Sequence, residues 1–180
     1  MTLPRRGWQL VLLDRDGTLV VAPREGQYLV DPNDVRLVTG AEAALARLQD
    51  AGMALAVVTN QRCLARGIAT WEQVRAVNER TSQLLGTVGS ALAWYVCPHE
   101  AGECSCRKPL PGLVRRVVDD VGVPCASAGV VGDRETDVEA GLPDDLGRVL
   151  LSDESSVRTV AHVVVPDLGS AVDAILASRC

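Results

Sequence analysis

Leu10-Val-Leu-Leu-Asp14-Arg15-Asp16-Gly17-Thr18-Leu19 is the stretch whose reading decides the fold. Leu10 to Leu13 is an unbroken apolar run, the pattern of a strand buried on both faces. It delivers two carboxylates, one residue apart, at its carboxyl end. Ligands of open α/β sheets bind at that edge. Gly17 comes next, so the backbone can turn sharply and expose both acids. Such a pair can divide labour, one carboxylate attacking as nucleophile and the other shuttling a proton. A plain polar turn uses the same residue types, so the weight rests on residues further along the chain.

Outward from this stretch, apolar runs and amphipathic segments alternate. Ala41, Ala44, Leu45 and Leu48 are spaced i, i+3, i+4, i+7 and predict a helix after Gly40. Met53 to Val58 predicts a second buried strand, which runs into Thr59-Asn60-Gln61. Thr70 to Gln73 has the form of a capping box and starts a helix with Val74, Val77, Leu84 and Leu85 inward. A third strand is expected over Ala91–Val96. The next helix opens near Pro111 and turns Leu113, Val114, Val117, Val118 and Val121 inward. Ala128 to Val131 predicts a fourth strand, ending in Gly132-Asp133, with a brief helix over Thr136–Ala140. Arg148–Leu151 and His162–Val165 read as two more strands, and Leu168 to Leu176 as the last helix. The connections are too long for hairpins. The expectation is one α/β domain over residues 1–180, a Rossmann-like parallel sheet with helices on both faces.

Composition narrows the function. Of 180 residues, 47% are apolar and 23% charged, so the chain is globular. There is no Phe, and the core must be built from Ala, Val and Leu. A net charge of -5 with interspersed signs argues against nucleic acid as partner. No apolar stretch is long enough to span a bilayer, and no signal-peptide core precedes the first strand. A cytoplasmic monomer with no membrane partner is expected.

Three strands thus end in polar groups on one edge: Asp14 and Asp16, then Thr59 and Asn60, then Asp133 with Asp137 a turn later. Arg107-Lys108-Pro109 adds a fourth contribution. Lys108 is the only lysine, beside seventeen arginines, and offers a compact mobile charge where Arg offers a planar fork. Carboxylates, a lysine and hydroxyl donors make sense around a phosphoryl group. Carboxyl and carbonyl oxygens can hold Mg²⁺, while Lys108, the Thr59 hydroxyl and the Asn60 amide can neutralise charge on the phosphoryl oxygens.

Cys97-Pro98-His99 and Cys104-Ser105-Cys106 give C-x-H-x4-C-x-C. Three thiolates and one imidazole form a closed set typical of structural Zn²⁺. No position is left for water, so its work would be mechanical: pinning the loop 97–106 that leads into Arg107 and Lys108. Cys63, Cys125 and Cys180 have no partners of this kind; Cys125 is read as core, and His162 as packing.

In order along the chain, D-x-D-G-T, Thr59, Lys108 and G-D-x-x-x-D resemble the haloacid dehalogenase (HAD) superfamily. The resemblance covers residues 10 to 140. It implies a HAD-like Rossmannoid fold and a phosphatase using an aspartyl-phosphate, with Asp14 as nucleophile and Asp16 as general acid/base. It also implies Mg²⁺ held by Asp14, the backbone carbonyl of Asp16, and Asp133. Thr59 and Lys108 would hold the phosphoryl group, and Asp137 would orient its neighbours.

The zinc loop followed by C-R-K-P is similar to the branch that contains D-glycero-D-manno-heptose-1,7-bisphosphate 7-phosphatase and the histidinol-phosphate phosphatase domain. The branch has little or no cap domain, and no large cap insertion is present here. The implied substrate is a small phosphorylated sugar, with the 7-phosphate of a heptose 1,7-bisphosphate first and histidinol phosphate as the alternative. Tyr28 to Val35 and the Thr59-Asn60-Gln61 segment followed by Ala65-Arg66-Gly67 favour the heptose; the short His99–Cys104 gap and Arg134 lean the other way. Arg62 and Cys63 stand where the heptose pattern has Ser-Gly. Asn60, Gln61, Arg107 and Arg134 are the expected substrate-binding residues, with Arg62 and Arg134 candidates for a second phosphate.

Overall fold

A computed structural model of the chain describes residues 3, 7–154 and 157–179. Cys180 lies outside them. Six strands form one sheet: β1 Leu10–Leu13, β2 Ala54–Asn60, β3 Ala93–Cys97, β4 Ala128–Gly132, β5 Gly147–Leu151 and β6 Val163–Val165. Their order is β3-β2-β1-β4-β5-β6, and every pairing is parallel. The order reverses at β1, between β2 and β4, so the crevice beyond its carboxyl end is where such a sheet accepts a ligand.

Alternate side chains of β1 feed two cores. Val11 and Leu13 face one side with Leu55, Val57, Val131 and Val149. Helices α1 (Ala41–Asp50) and α6 (Leu168–Ala177) cover that face, along with Val77 of α2 (Trp71–Leu84). Leu10 and Leu12 face the other side and meet Leu113, Val114, Val117 and Val118 of α4 (Gly112–Val121). Each such side chain, fully buried, stabilises the fold by about 1.5–3 kcal/mol, so β1 is held from both faces and its end is fixed in space. The remaining helices are α3 (Gly86–Ser90) and α5 (Glu135–Ala140).

The capping box forms as its sequence predicts: the Thr70 hydroxyl accepts from the Gln73 N–H at 3.3 Å, and the Gln73 side-chain carbonyl accepts from the Thr70 N–H at 2.9 Å. Beyond it the pattern misleads. α2 ends at Leu84, and the short α3 comes where no helix was expected, because Gly86 takes φ +62° and breaks the run. Leu85, the residue that caps α2, is fully buried and Leu84 packs half-buried against the same core, as expected, but the helix also buries two polar residues, Asn78 and Thr81. β3 consequently starts at Ala93. Val121 is 38% exposed at the last turn of α4, and Cys125 is half-buried at the edge of a core. Among the described residues, no helix is long and apolar enough to cross a membrane.

Candidate active site

Asp14 is the first residue past β1, tied to the sheet by its N–H, which donates to the Val131 carbonyl at 3.0 Å. Asp133 directly succeeds β4, the neighbouring strand, so parallel register alone brings the two together. Gly17 makes the approach possible. Its φ is +93°, and a Cβ there would collide with the Asp133 carboxylate. Gly132 does the same for Asp137 on α5, whose carboxylate fills the space its Cβ would need. Ligand oxygens of Asp14, Asp133 and Asp137 all lie within 4.8 Å of one another.

Lys108 enters from the segment before α4 and is buried among them. Its ammonium donates to Asp14 Oδ1 at 2.6 Å, to Asp137 Oδ1 at 2.7 Å and to the Val58 carbonyl at 2.6 Å. All three protons are spent, so its position is over-determined. Its backbone is held too: the Lys108 N–H donates to Asn60 Oδ1 at 3.1 Å, and Asn60 Nδ2 donates back to the Lys108 carbonyl at 3.0 Å. Asn60, expected to face the substrate, thus spends its amide on the lysine's main chain. Burial works against the Lys108 charge, but Asp137 and Asp14 outweigh it, and its pKa rises.

The carboxylates are crowded. Burial pushes Asp14 up to about 7 against the pull of Lys108, with Asp137 and Asp16 adding repulsion. Burial also lifts Asp133 to about 6, Asp137 again adding to it. Asp133 Oδ1 is buried with no hydrogen-bond partner among the described residues. Three carboxylates against a single ammonium leave negative charge uncompensated, and an orphaned oxygen faces it. Hard oxygen donors in this number fit Mg²⁺.

Asp16 stands apart from that cluster. Its carboxylate is gripped by the Arg15 guanidinium at 3.0 and 2.8 Å and by Gln61 Nε2 at 3.0 Å. The same Gln61 nitrogen donates to the Thr59 hydroxyl at 2.8 Å, and both Gln61 and Thr59 are buried. Cys63 is buried behind them, with its thiol 3.7 Å from Gln61 Oε1. Sequence reasoning passed over Arg15; its only signal was a cation flanked by two aspartates at a strand end.

Of the outer residues, Arg107 donates to the His99 carbonyl at 3.2 Å. Arg62 donates to the Tyr28 hydroxyl at 2.9 Å and lies 5.9 Å from its ring centre, while Arg66 pairs with Glu100. The Arg134 side chain is exposed, and its N–H caps α5 by donating to Asp137 Oδ2 at 3.0 Å. His162 packs against Arg148, whose N–H donates to its Nδ1 at 3.1 Å.

The second cluster sits directly after β3. Sulfurs of Cys97, Cys104 and Cys106 lie 3.2–3.7 Å apart, and His99 Nδ1 lies 3.7 Å from Cys97 Sγ and 3.4 Å from Cys106 Sγ. A zinc tetrahedron with its usual bond lengths has edges of about 3.7 Å. These ligand atoms therefore fit that metal, and the contacts are too long for disulfides. The loop is fastened to α4, the Gly112 N–H donating to the Ser105 carbonyl at 3.0 Å.

A parallel sheet with carboxylates, a buried lysine and a threonine at its switch point is an arrangement suited to a phosphatase. Residues 9–135 match the family model described as polynucleotide kinase 3 phosphatase, and residues 105–170 match that of HAD-hydrolase-like proteins. The D-glycero-beta-D-manno-heptose-1,7-bisphosphate 7-phosphatase of Pseudomonas aeruginosa is 32% identical over 175 residues, covering 93% of this chain and 97% of the relative. Its counterpart in Bordetella bronchiseptica is 30% identical, covering 88% and 89%. The crystal structure of a D,D-heptose 1,7-bisphosphate phosphatase from B. bronchiseptica, complexed with magnesium and phosphate, superposes with a TM-score of 0.83 at 27% identity, covering 94% of this chain and 98% of that one. The chain belongs to the HAD superfamily and is a phosphatase.

Proposed function

We propose that this phosphatase removes the 7-phosphate of a D-glycero-D-manno-heptose 1,7-bisphosphate through an aspartyl-phosphate on Asp14. The observation that carries the mechanism is the convergence of Asp14, Asp133, Asp137 and Lys108 at the switch point. The substrate rests on the similarity to heptose-bisphosphate phosphatases over nearly the whole chain.

Asp14 is nearest the turn after β1 and attacks phosphorus. Asp16, held by Arg15 and Gln61, gives a proton to the leaving alkoxide and then takes one from the water that hydrolyses the acyl phosphate. Lys108 and the Thr59 hydroxyl steady the phosphoryl oxygens. Asp137 keeps Lys108 in place. Mg²⁺, held by Asp14, Asp133 and the Asp16 carbonyl, would supply the charge neutralisation that lets an anionic nucleophile meet an anionic ester. Zn²⁺ on Cys97, His99, Cys104 and Cys106 would brace the loop that carries Arg107 and Lys108. Arg107 and Arg134, with Gln61 at the inner wall, are the groups proposed to meet the rest of the substrate. The reading takes the protein to be a monomer working as a single domain. Free thiols at Cys63, Cys97, Cys104, Cys106 and Cys125 suit the reducing cytoplasm.

Kinetics on heptose 1,7-bisphosphate, histidinol phosphate and a phosphorylated oligonucleotide, with and without Mg²⁺, test the reading. The heptose is expected to give the highest kcat/KM, and only with Mg²⁺. Preference for histidinol phosphate would move the substrate assignment to the other branch. Asp14→Asn should abolish turnover on every substrate while circular dichroism stays native.

A further inference from the structure

Between the two aspartates of the D-x-D pair lies a side chain to which the phosphatase chemistry gives no direct part. Arg15 is fully buried, 0% exposed. A buried guanidinium is costly unless its donors are matched, and here they are matched by two side chains, Asp16 and Asn78. Nε reaches Asp16 Oδ1 at 3.0 Å and Nη2 reaches Oδ2 at 2.8 Å, the bidentate fork that only arginine offers. Nη1 donates to Asn78 Oδ1 at 3.0 Å, which anchors the fork to α2. The Arg15 carbonyl accepts from the N–H groups of Leu19 and Val20 at 2.9 and 3.0 Å, so its main chain is fixed as firmly as its head.

The Asp16 carboxylate is the only one of the four acids in these motifs kept out of the crowded cluster. Asp14, Asp133 and Asp137 converge; Asp16 does not. Its side chain keeps 21% exposure, on the side of the site that solvent reaches. A carboxylate two residues from Asp14 would otherwise be drawn toward Lys108 or a bound cation. Long-range placement of the anchor shows that this is built in: Asn78 is 63 residues away and is one of the two polar residues that α2 buries late in its length.

We propose that Arg15, anchored by Asn78, is a positioning residue that holds the Asp16 carboxyl group away from the Asp14–Lys108 cluster and at the solvent-reached side, where the alcohol leaves and the water enters. The proposal rests on the aspartyl-phosphate reading above. In the first step the Asp14 carboxylate bonds to phosphorus, the ester P–O bond breaks, and the proton of Asp16 passes to the departing alkoxide. In the second, Asp16 takes a proton from water, the water oxygen bonds to phosphorus, and the bond from phosphorus to Asp14 breaks, returning both acids to their starting state.

Two substrates separate this role from a merely structural one. An alkyl phosphate needs the proton from Asp16 to leave; 4-nitrophenyl phosphate does not, since nitrophenolate departs as a stable anion. Arg15→Lys replaces the fork by one ammonium, and Asn78→Ala keeps the fork but removes its anchor. Positioned general acid–base catalysis contributes about 10²–10⁴-fold, so loosening it should cost Arg15→Lys roughly ten- to a hundred-fold in kcat on the alkyl phosphate, at nearly unchanged KM. On 4-nitrophenyl phosphate the same variant should release a rapid burst of about one nitrophenolate per active site, followed by slow turnover. Asn78→Ala should show the same split more weakly, and it decides the matter if Arg15→Lys does not fold. Equal losses of the first step on both substrates, or wild-type kinetics in both variants, would overturn the proposal. Asp14→Asn separates the two levels. If it still turns over, the aspartyl-phosphate reading is at fault; if it is dead while the Arg15 and Asn78 variants behave as wild type, the positioning role alone fails.

Discussion

Among the described residues, two clusters of side chains could hold a metal ion, and they are built in opposite ways. Cys97, His99, Cys104 and Cys106 come from ten consecutive residues and use soft donors. Asp14, Asp133 and Asp137 come from segments more than a hundred residues apart and use hard ones. The first needs only a loop to exist; the second needs β1 and β4 to lie side by side in register. They are nonetheless connected. The loop is fastened to α4 through Ser105 and Gly112, and Arg107 ties back to the His99 carbonyl, so the local cluster fixes the approach of Lys108 to the distributed one. In the proposed reading, the local cluster would be the abutment for a reaction centre assembled over long range.

That asymmetry can be broken at several points. The largest effect is expected at Lys108, where the two meet. Lys108→Met leaves Asp14, Asp133 and Asp137 without their cation, and kcat should fall about 10²–10³-fold, the order seen when one group stabilising transition-state charge is removed. Steady-state kinetics at saturating substrate measure it, and a loss below threefold would show that the lysine is dispensable.

Next comes the local cluster. Purified protein should contain about one zinc per chain, and Cys106→Ser should release it. If the loop's bracing is worth about 3 kcal/mol, Tm drops by roughly 6–12 °C for a chain of this size. Activity should fall too, with Asp14 and Asp133 untouched, since Lys108 loses its abutment. Zinc far below one per chain in metal analysis would remove the abutment from the comparison.

The smallest effect is a pH dependence. Asp14 and Asp133 have pKa values raised to about 7 and about 6 from 3.8, so the folded state holds their protons more tightly than the unfolded chain does. Without Mg²⁺, these two groups therefore cost stability as pH rises from about 4 through 7. The cation takes the place of those protons, so the rise in Tm on adding Mg²⁺ should be small at pH 5 and several degrees larger at pH 7.5. Zinc chelation should not alter that slope. A Mg²⁺ shift that is flat with pH would separate the carboxylates from the cation.

Much of this architecture is legible in the residue pattern alone. The apolar run at Leu10–Leu13, the i, i+3, i+4 stripe of α1 and the capping box at Thr70 each report a local preference, and each is found where expected. The thiol and imidazole cluster is legible for the same reason, its ligands being neighbours in sequence. The polar part of the inner face of α2 is not. Leu84 and Leu85 pack on the core as their spacing predicts, yet the helix also buries Asn78, because a polar anchor there answers a guanidinium contributed by the turn after β1.

The sequence by itself determined the alternation of strands and helices, the residues at each strand end and the set of groups suited to a phosphoryl ester. Those arise from periodicity and donor chemistry, which act over a few residues. Only the tertiary structure decided that Asn60 holds the Lys108 main chain, that Asp137 shares the ammonium with Asp14, and that Arg15 takes Asp16 aside. Those pairings depend on which strands adjoin and how closely two backbones approach, and the identity of a residue cannot state its neighbour in space.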